Sequence, residues 1–216
     1  MRYSQIIDVI NEVKPKKILE VGTWNGVRAV EMCQAALVHS TNVSYLGFDL
    51  FEDATSETDA HELNVKPHAK KDDIKHNLTV QLPACTVSLV SGNTNITLQG
   101  FKGEYDFAFI DGGHSLETVQ NDGENTNHIP VRLFDDYYSP DNQGKLPDIT
   151  KFGCNHFIDS LDKSQFEITI LPKIDRIRGG GFNQIVKVVL KSQKKKEFKI
   201  IKSCEASAKA ILVTKK

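Results

Sequence analysis

The sequence lacks the features that would place the protein in a membrane or in a secretory pathway. No stretch approaches the roughly 20 consecutive apolar residues that a membrane-spanning helix needs. The first residues, MRYSQIIDVINEV, contain early acidic residues and no long apolar segment of the kind found in signal peptides. We therefore expect a cytoplasmic protein without a membrane partner.

Cysteine is scarce, and the few cysteines form no recognisable pair. The four are widely separated and include no Cys-x-x-Cys spacing: Cys33, Cys85, Cys154 and Cys204. Such spacing argues against a disulfide framework and against a structural zinc site.

A net positive charge is confined to the end of the chain. Nine lysines and two glutamates give Lys191–Lys216 a net charge of +7, which leaves −8 for residues 1–190 of a chain whose total is −1. An acidic body argues against a partner held through nucleic-acid phosphates. A basic segment can contact nucleic acid or membrane. We interpret this one as a lysine-rich extension, a pair of added strands packed on a domain formed by residues 1–190. A homo-oligomer is compatible with the sequence.

What the chain does contain is an alternation of β-rich runs with helical segments. The predicted strands are Lys17–Val21, Val43–Leu50, Cys85–Val90, Tyr105–Ile110, Val131–Phe134, Phe166–Leu171 and Gln184–Leu190. The predicted helices are Tyr3–Val13, Val27–Leu37, Asp72–Leu82, Ser115–His128 and Lys151–Leu161. This order predicts an α/β fold with a mainly parallel sheet and helices on both faces. The last two strands have no helix between them, so we expect an antiparallel hairpin at the sheet edge.

Two long irregular segments interrupt this pattern. Phe51–Lys71 is polar and reads as a loop or lid, and Ser139–Thr150 reads as a second long loop. Loops of this length often cover sites or determine specificity.

Polar residues concentrate where the predicted strands end. These residues are Glu20, Asp49, Asn93, Asp111 and Asp135. In open α/β sheets, ligands bind at the carboxyl ends of the strands, next to the switch in strand order. We therefore expect the functional site at this edge.

The turn after the first strand reads Glu-Val-Gly-Thr-Trp-Asn-Gly over residues 20–26. Gly22 allows a sharp turn and a close approach of a ligand to the backbone. Trp24 and Val27 stand where a dinucleotide-binding fingerprint needs its second and third glycines. A nicotinamide oxidoreductase is therefore disfavoured, and a phosphate P-loop is absent because no Gly-Lys-Ser/Thr follows.

Two later strand ends suit a nucleoside. Asp49 can accept hydrogen bonds from both hydroxyl groups of a ribose, and such charge-assisted bonds are strong. Asn93 can both donate to and accept from the edge of an adenine. Gly22, Asp49 and Asn93 follow successive strands, and together they predict nucleoside binding.

The segments ILEVGTWNG, GFDLFED and FIDGGHS resemble those of class I S-adenosylmethionine-dependent methyltransferases, and most of all the macrocin and mycinamicin type of sugar O-methyltransferase. The resemblance covers residues 17–190. It implies a Rossmann-like three-layer sandwich whose seven-stranded sheet has an antiparallel last strand. It also implies S-adenosylmethionine held by Glu20 and Gly22 at its amino-acid end, by Asp49 at the ribose and by Asn93 near the adenine. The remaining predicted cofactor residues are Thr23, Trp24, Asn25, Leu50 and Asp111. Many relatives have glycine at the position of Trp24 and aspartate at that of Asn93.

Three carboxylates, those of Asp111, Asp135 and Asp136, follow neighbouring strands and suit Mg²⁺ or another divalent cation. Consecutive strand residues point to opposite faces, so Asp135 and Asp136 can share a metal only where the strand has ended. The resemblance implies a metal at these three positions and a histidine base at His114. From the residues alone, the alternative for His114 is a residue at a helix N-terminus bonded to backbone.

We therefore predict an O-methyltransferase acting on a vicinal diol of a sugar or a related small molecule. Two alternatives remain open. One is a nucleoside-binding module without catalysis, and the other is a metal-independent methyltransferase with a different acceptor.

Overall fold

The computed structural model describes residues 1–191. The strands are β1 (Lys17–Val21), β2 (Val43–Asp49), β3 (Cys85–Ser91), β4 (Phe107–Ile110), β5 (Val131–Ser139), β6 (Phe166–Ile170), β7 (Asp175–Arg176) and β8 (Phe182–Leu190). The helices are α1 (Ser4–Val13), α2 (Val27–Leu37), α3 (Ser56–His61), α4 (Lys71–Gln81), α5 (Thr94–Thr97), α6 (Leu116–Asn125) and α7 (Gly153–Ser160). The predicted extension, apart from Lys191, lies outside the described residues.

The strands form one sheet in the order β3-β2-β1-β4-β5-β8-β6. The first five strands of this order are parallel, and β8 lies antiparallel between β5 and β6. The predicted α/β fold and the antiparallel terminal hairpin are confirmed. An eighth, two-residue strand, β7, lies in the glycine-rich connection and pairs with β8. Two residues are too few to produce a recognisable alternation of apolar and polar residues in the sequence.

Helices pack on both faces of the sheet. Successive strand residues point to opposite faces, so their side chains contribute to two separate hydrophobic cores. On β4, Phe107 and Phe109 pack into the core under α1, α2 and α4, whereas Ala108 and Ile110 pack into the core under α6 and α7. Continuous apolar strands buried on both faces are typical of parallel sheets. The result is the predicted three-layer sandwich.

The predicted irregular segment Phe51–Lys71 contains two short helices. A 3₁₀ turn spans Phe51–Asp53, and α3 follows. Thr55 and Thr58 form a reciprocal capping box at the start of α3. Because α3 has six residues and none is buried, the sequence has no helical spacing of apolar residues that would predict it.

Strand β5 continues five residues beyond its predicted end at Phe134. Its pairing with β8 shifts between Phe134 and Tyr137, so Asp135 and Asp136 together face a single residue of β8. Asp136 has a φ of 59°, in the left-handed region. This β-bulge breaks the alternation of faces.

The strand order reverses between β1 and β4, because β2 and β3 lie on one side of β1 and β4 and β5 on the other. A crevice therefore opens beyond the carboxyl ends of these strands. Among residues 1–191, no helix has the length and apolar character to cross a bilayer.

Candidate active site

A cavity of about 460 Å³ opens at this crevice. That volume lies within the range of small-molecule sites, roughly 300–1,000 Å³. The structure brings nine of the predicted site residues to its wall: Gly22, Thr23, Trp24, Asn25, Asp49, Leu50, Asn93, Asp111 and His114.

The turn after β1 fits against the turn after β4 only because residue 22 is glycine. Gly22 has a φ of 89°, and its N–H donates to the carbonyl of Phe48 at 2.8 Å. A Cβ atom at this position would lie 2.0 Å from the carbonyl oxygen of Asp111. The close approach places the β1 and β4 turns side by side on the cavity wall.

Asp49 orders the same turn. Its Oδ2 accepts from the N–H of Trp24 at 2.6 Å, and its Oδ1 accepts from the N–H of Phe51 at 3.0 Å. A carboxylate has about four acceptor positions. Two remain for hydroxyl groups of a ligand in the cavity.

Trp24 lies on the cavity wall and is held there by the segment after α3. Its Nε1 donates to the carbonyl of Pro67 at 3.0 Å, and Nζ of Lys66 lies 5.3 Å from its ring centroid. Trp24 and the segment containing Lys66 and Pro67, which is far from it in sequence, thus form one side of the cavity together.

Two predicted cofactor residues have roles that the sequence did not indicate. The side-chain oxygen of Asn93 accepts from the N–H of Asn95 at 2.8 Å, so it caps α5. Glu20 does not reach the cavity wall, because its side chain is fully buried and accepts a hydrogen bond from the hydroxyl of Tyr45. Burial raises the pKa of Glu20 to about 8, and the Tyr45 hydrogen bond only partly opposes this shift.

The three acidic residues predicted as metal ligands meet beside the cavity. Asp111, Asp135 and Asp136 each place one carboxylate oxygen within 4.8 Å of the other two. The bulge in β5 makes this possible without ending the strand. Burial and the neighbouring carboxylates raise the pKa of Asp111 well above its usual range, and the same causes raise the pKa of Asp135.

Asp135 is bound by two residues that the sequence did not indicate as part of a site. Arg2 donates from Nε to Oδ1 and from Nη2 to Oδ2, both at 2.7 Å. The hydroxyl of Tyr3 donates to Oδ2 at 2.8 Å. Arg2 and Tyr3 lie just before α1, more than 130 residues from Asp135, and no local pattern connects them.

Asp136 forms a pair with His114. Nδ1 of His114 lies 3.0 Å from Oδ2 of Asp136, and Nδ2 of Asn183 donates to Oδ1 of Asp136. Burial lowers the pKa of His114, but the hydrogen bond and charge of Asp136 outweigh it and leave the pKa raised. Burial raises the pKa of Asp136, but the His114 hydrogen bond and charge reduce it to about 2. The imidazole thus bonds a carboxylate and not the backbone.

The segment after α3 is fixed over the cavity by Glu62, another residue that the sequence did not single out. Its carboxylate accepts from the N–H of Ser115 at 2.9 Å and from the hydroxyl of Thr118 at 2.6 Å. An acid at a helix N-terminus is stabilised by the helix dipole. Glu62 therefore connects the predicted lid to the start of α6, next to His114.

Comparison with known proteins places this site in context. The model of a methyltransferase domain family matches residues 19–130. The fold is similar to an O-methyltransferase from Bacillus cereus solved with SAH, at 19% identity and a TM-score of 0.59, covering 87% of this chain and 80% of the other.

Two further structures show the range of enzymes with this fold. TomG, an O-methyltransferase from Streptomyces achromogenes solved with SAM, has 13% identity and a TM-score of 0.55, with 88% and 79% coverage. An rRNA methylase from Streptococcus thermophilus has 13% identity and a TM-score of 0.59, with 88% and 97% coverage. A search of curated protein sequences gave no significant match.

Proposed function

This chain belongs to the methyltransferase domain family, and we propose that it transfers a methyl group from S-adenosylmethionine to a hydroxyl group of a small molecule. The observation that carries the proposal is that His114 lines a cavity suited to a nucleoside and is paired with Asp136. An imidazole oriented by a carboxylate is a common general base.

The cavity residues suit each part of the methyl donor. Asp49 keeps acceptor positions for the ribose hydroxyls, and Asn93 lines the cavity although its side-chain oxygen also caps α5. The turn from Gly22 to Asn25 offers backbone at the amino-acid end. B. cereus O-methyltransferase and TomG, solved with SAH and SAM, support this choice of donor.

His114 supplies the proton acceptor. Its Nδ1 is engaged by Asp136, which leaves Nε2 to take the proton of the acceptor hydroxyl. The hydroxyl oxygen then bonds to the methyl carbon while the carbon–sulfur bond breaks, and S-adenosylhomocysteine leaves. Because the sulfonium methyl is already electrophilic, the chain contributes mainly positioning and proton removal.

A divalent cation is the second part of the proposal. Asp111, Asp135 and Asp136 would hold it, since their oxygens have the spacing and chemistry that Mg²⁺ uses. Bound there, it would orient two neighbouring substrate hydroxyls and lower the pKa of one of them. Asp135 and Asp136 already have basic partners, Arg2 and His114, so the cation fits only after Arg2 moves.

We propose a sugar or other vicinal diol as the acceptor class and no nucleic-acid partner. The support is the negative charge of residues 1–190, which disfavours phosphate contacts. The rRNA methylase with a similar fold makes RNA the alternative to be tested.

The test has two parts. Calorimetry with S-adenosylmethionine and with NAD should show binding of the first only. Transfer of a radiolabelled methyl group should then be measured against sugars, catechols and RNA, with and without a chelator. We expect His114→Ala to reduce turnover by about 10²–10⁴-fold while leaving donor affinity intact.

His156→Ala is a matched control, because His156 is exposed on α7 and does not line the cavity. Undiminished turnover of His114→Ala would refute the assignment of the base. Donor binding without transfer to any acceptor would favour the binding module. Full activity in chelator would refute the metal part alone.

A further inference from the structure

Arg2 places a fixed positive charge inside the acidic cluster. Its guanidinium makes a bidentate pair with Asp135, and Nη2 also lies 3.7 Å from Oδ1 of Asp136. The side chains of Arg2 and Asp135 are 12% and 1% exposed. Bidentate arginine–carboxylate pairs are among the strongest charge-assisted contacts in proteins.

This contact uses the same atoms that a divalent cation would need. Both oxygens of Asp135 accept from Arg2, and Oδ2 also accepts from Tyr3. A cation bound between Asp111, Asp135 and Asp136 would lie close to the guanidinium in a mostly buried site. Two like charges at that distance repel strongly, since little solvent screens them. One site therefore cannot hold both.

We propose that Arg2 and a divalent cation are mutually exclusive occupants of the cluster formed by Asp111, Asp135 and Asp136. Arg2 acts as a tethered counter-ion that lowers the metal affinity of this centre and balances its charge when no metal is bound. The proposal rests on the metal part of the proposed function and adds its regulation.

The structure also provides a place for Arg2 when a metal enters. Nη1 of Arg2 donates to Oδ2 of Asp175 at 2.7 Å, and the backbone N–H of Arg2 lies 3.3 Å from Oδ1 of the same residue. Asp175 is the more exposed partner, at 36%. The side chain can release Asp135 and keep Asp175.

The backbone of this region need not move during the exchange. Gln5 and Lys173 exchange two hydrogen bonds, Nε2 to the Lys173 carbonyl at 3.1 Å and the Lys173 N–H to Oε1 at 2.7 Å. These bonds connect α1 to the segment before β7. Because these bonds hold the neighbouring backbone, we expect the exchange to proceed by rotation of the Arg2 side chain.

The experiment measures metal binding directly, without donor or acceptor. Chelator-treated wild-type protein, Arg2→Gln and Arg2→Lys are titrated with Mn²⁺, and free Mn²⁺ is followed by electron paramagnetic resonance. We expect Arg2→Gln to bind one ion at least tenfold more tightly than wild type, and Arg2→Lys to fall between them. Asp135→Asn in the Arg2→Gln background should abolish that binding.

Lys173→Gln is the matched control, because it removes a positive charge from the region where α1 meets the segment before β7. Lys173 contacts Asp8 there and does not contact the cluster. Its metal affinity should equal that of wild type. Equal affinities of wild type and Arg2→Gln would overturn the exclusion proposal and leave a metal site in place. Absence of binding to Arg2→Gln and Arg2→Lys would overturn both the exclusion and the metal part, while donor binding and methyl transfer would still test the rest of the proposed function.

Discussion

The carboxylate of Glu62 accepts a hydrogen bond from the backbone N–H of Ser115 across 53 residues of sequence. The contact joins the segment that covers the cavity to the helix that begins beside His114. Its three donors are the N–H and hydroxyl of Ser115 and the hydroxyl of Thr118.

Glu62→Ala should loosen this segment and weaken donor binding about tenfold, because three donors lose a buried acceptor. Limited proteolysis should cut within residues 62–70 faster than in wild type, and calorimetry should report the affinity. Glu117→Ala is the control, since Glu117 lies exposed in the first turn of the same helix without touching the segment. Equal cleavage rates in the two variants would contradict this role of Glu62.

Gly22→Ala should lower the free energy of unfolding by about 3 kcal/mol or more, because it combines a positive φ with overlap on backbone. The overlap is with the carbonyl of Asp111, 2.0 Å from the added carbon. Chemical denaturation measures the loss. Gly144 has a φ of 75° and open space around it, so Gly144→Ala should cost only the backbone strain. Similar losses for both would show that the close approach at Gly22 contributes nothing.

Asp49→Asn should weaken S-adenosylmethionine binding by about 10- to 100-fold, because the substitution replaces a charged acceptor, the carboxylate, with a neutral amide oxygen. Calorimetry measures the change directly. Asp53→Asn provides a control, since Asp53 bonds Ser91 and does not line the cavity. Unchanged affinity in Asp49→Asn would place the ribose elsewhere.

Glu20 should make stability fall as pH rises. Its pKa of about 8 in the folded protein exceeds the ordinary value of 4.5, so between these limits only the folded state holds the proton. Because unfolding then releases this proton, each rise of one pH unit lowers the unfolding free energy by at most about 1.4 kcal/mol. Denaturation of wild type and Glu20→Gln at pH 5 and pH 8.5 tests this: the variant should gain relative stability at the higher pH. A constant difference between the two proteins would refute the shift.

The sequence was sufficient to predict the fold and the family. Buried β-rich runs marked the seven longer strands, and the polar residues at their carboxyl ends located the cavity. The resemblance to class I methyltransferases is confirmed by the family match over residues 19–130. The roles of the individual site residues, of Mg²⁺ and of the acceptor stay predictions.

Four features could not be predicted because they depend on tertiary contacts. Arg2 meets Asp135 across 133 residues, and Glu62, which directly follows a helix without buried residues, meets Ser115 across 53. The bulge that brings Asp135 and Asp136 together depends on pairing with β8, not on a local glycine or proline. Glu20 fits the pattern of polar residues at strand ends, but its side chain is buried in the core, where it accepts a hydrogen bond from Tyr45 on β2.

The extra residue in β5 also affects how related chains should be aligned. In a relative whose corresponding strand is regular, an ungapped alignment would match every position after Asp136 with a side chain on the opposite face of the sheet. The side chains of Tyr137 and Tyr138 would then each be assigned to the wrong face of the sheet. A one-residue gap placed at the bulge restores the correspondence, and homology-based transfer of specificity across this strand requires it.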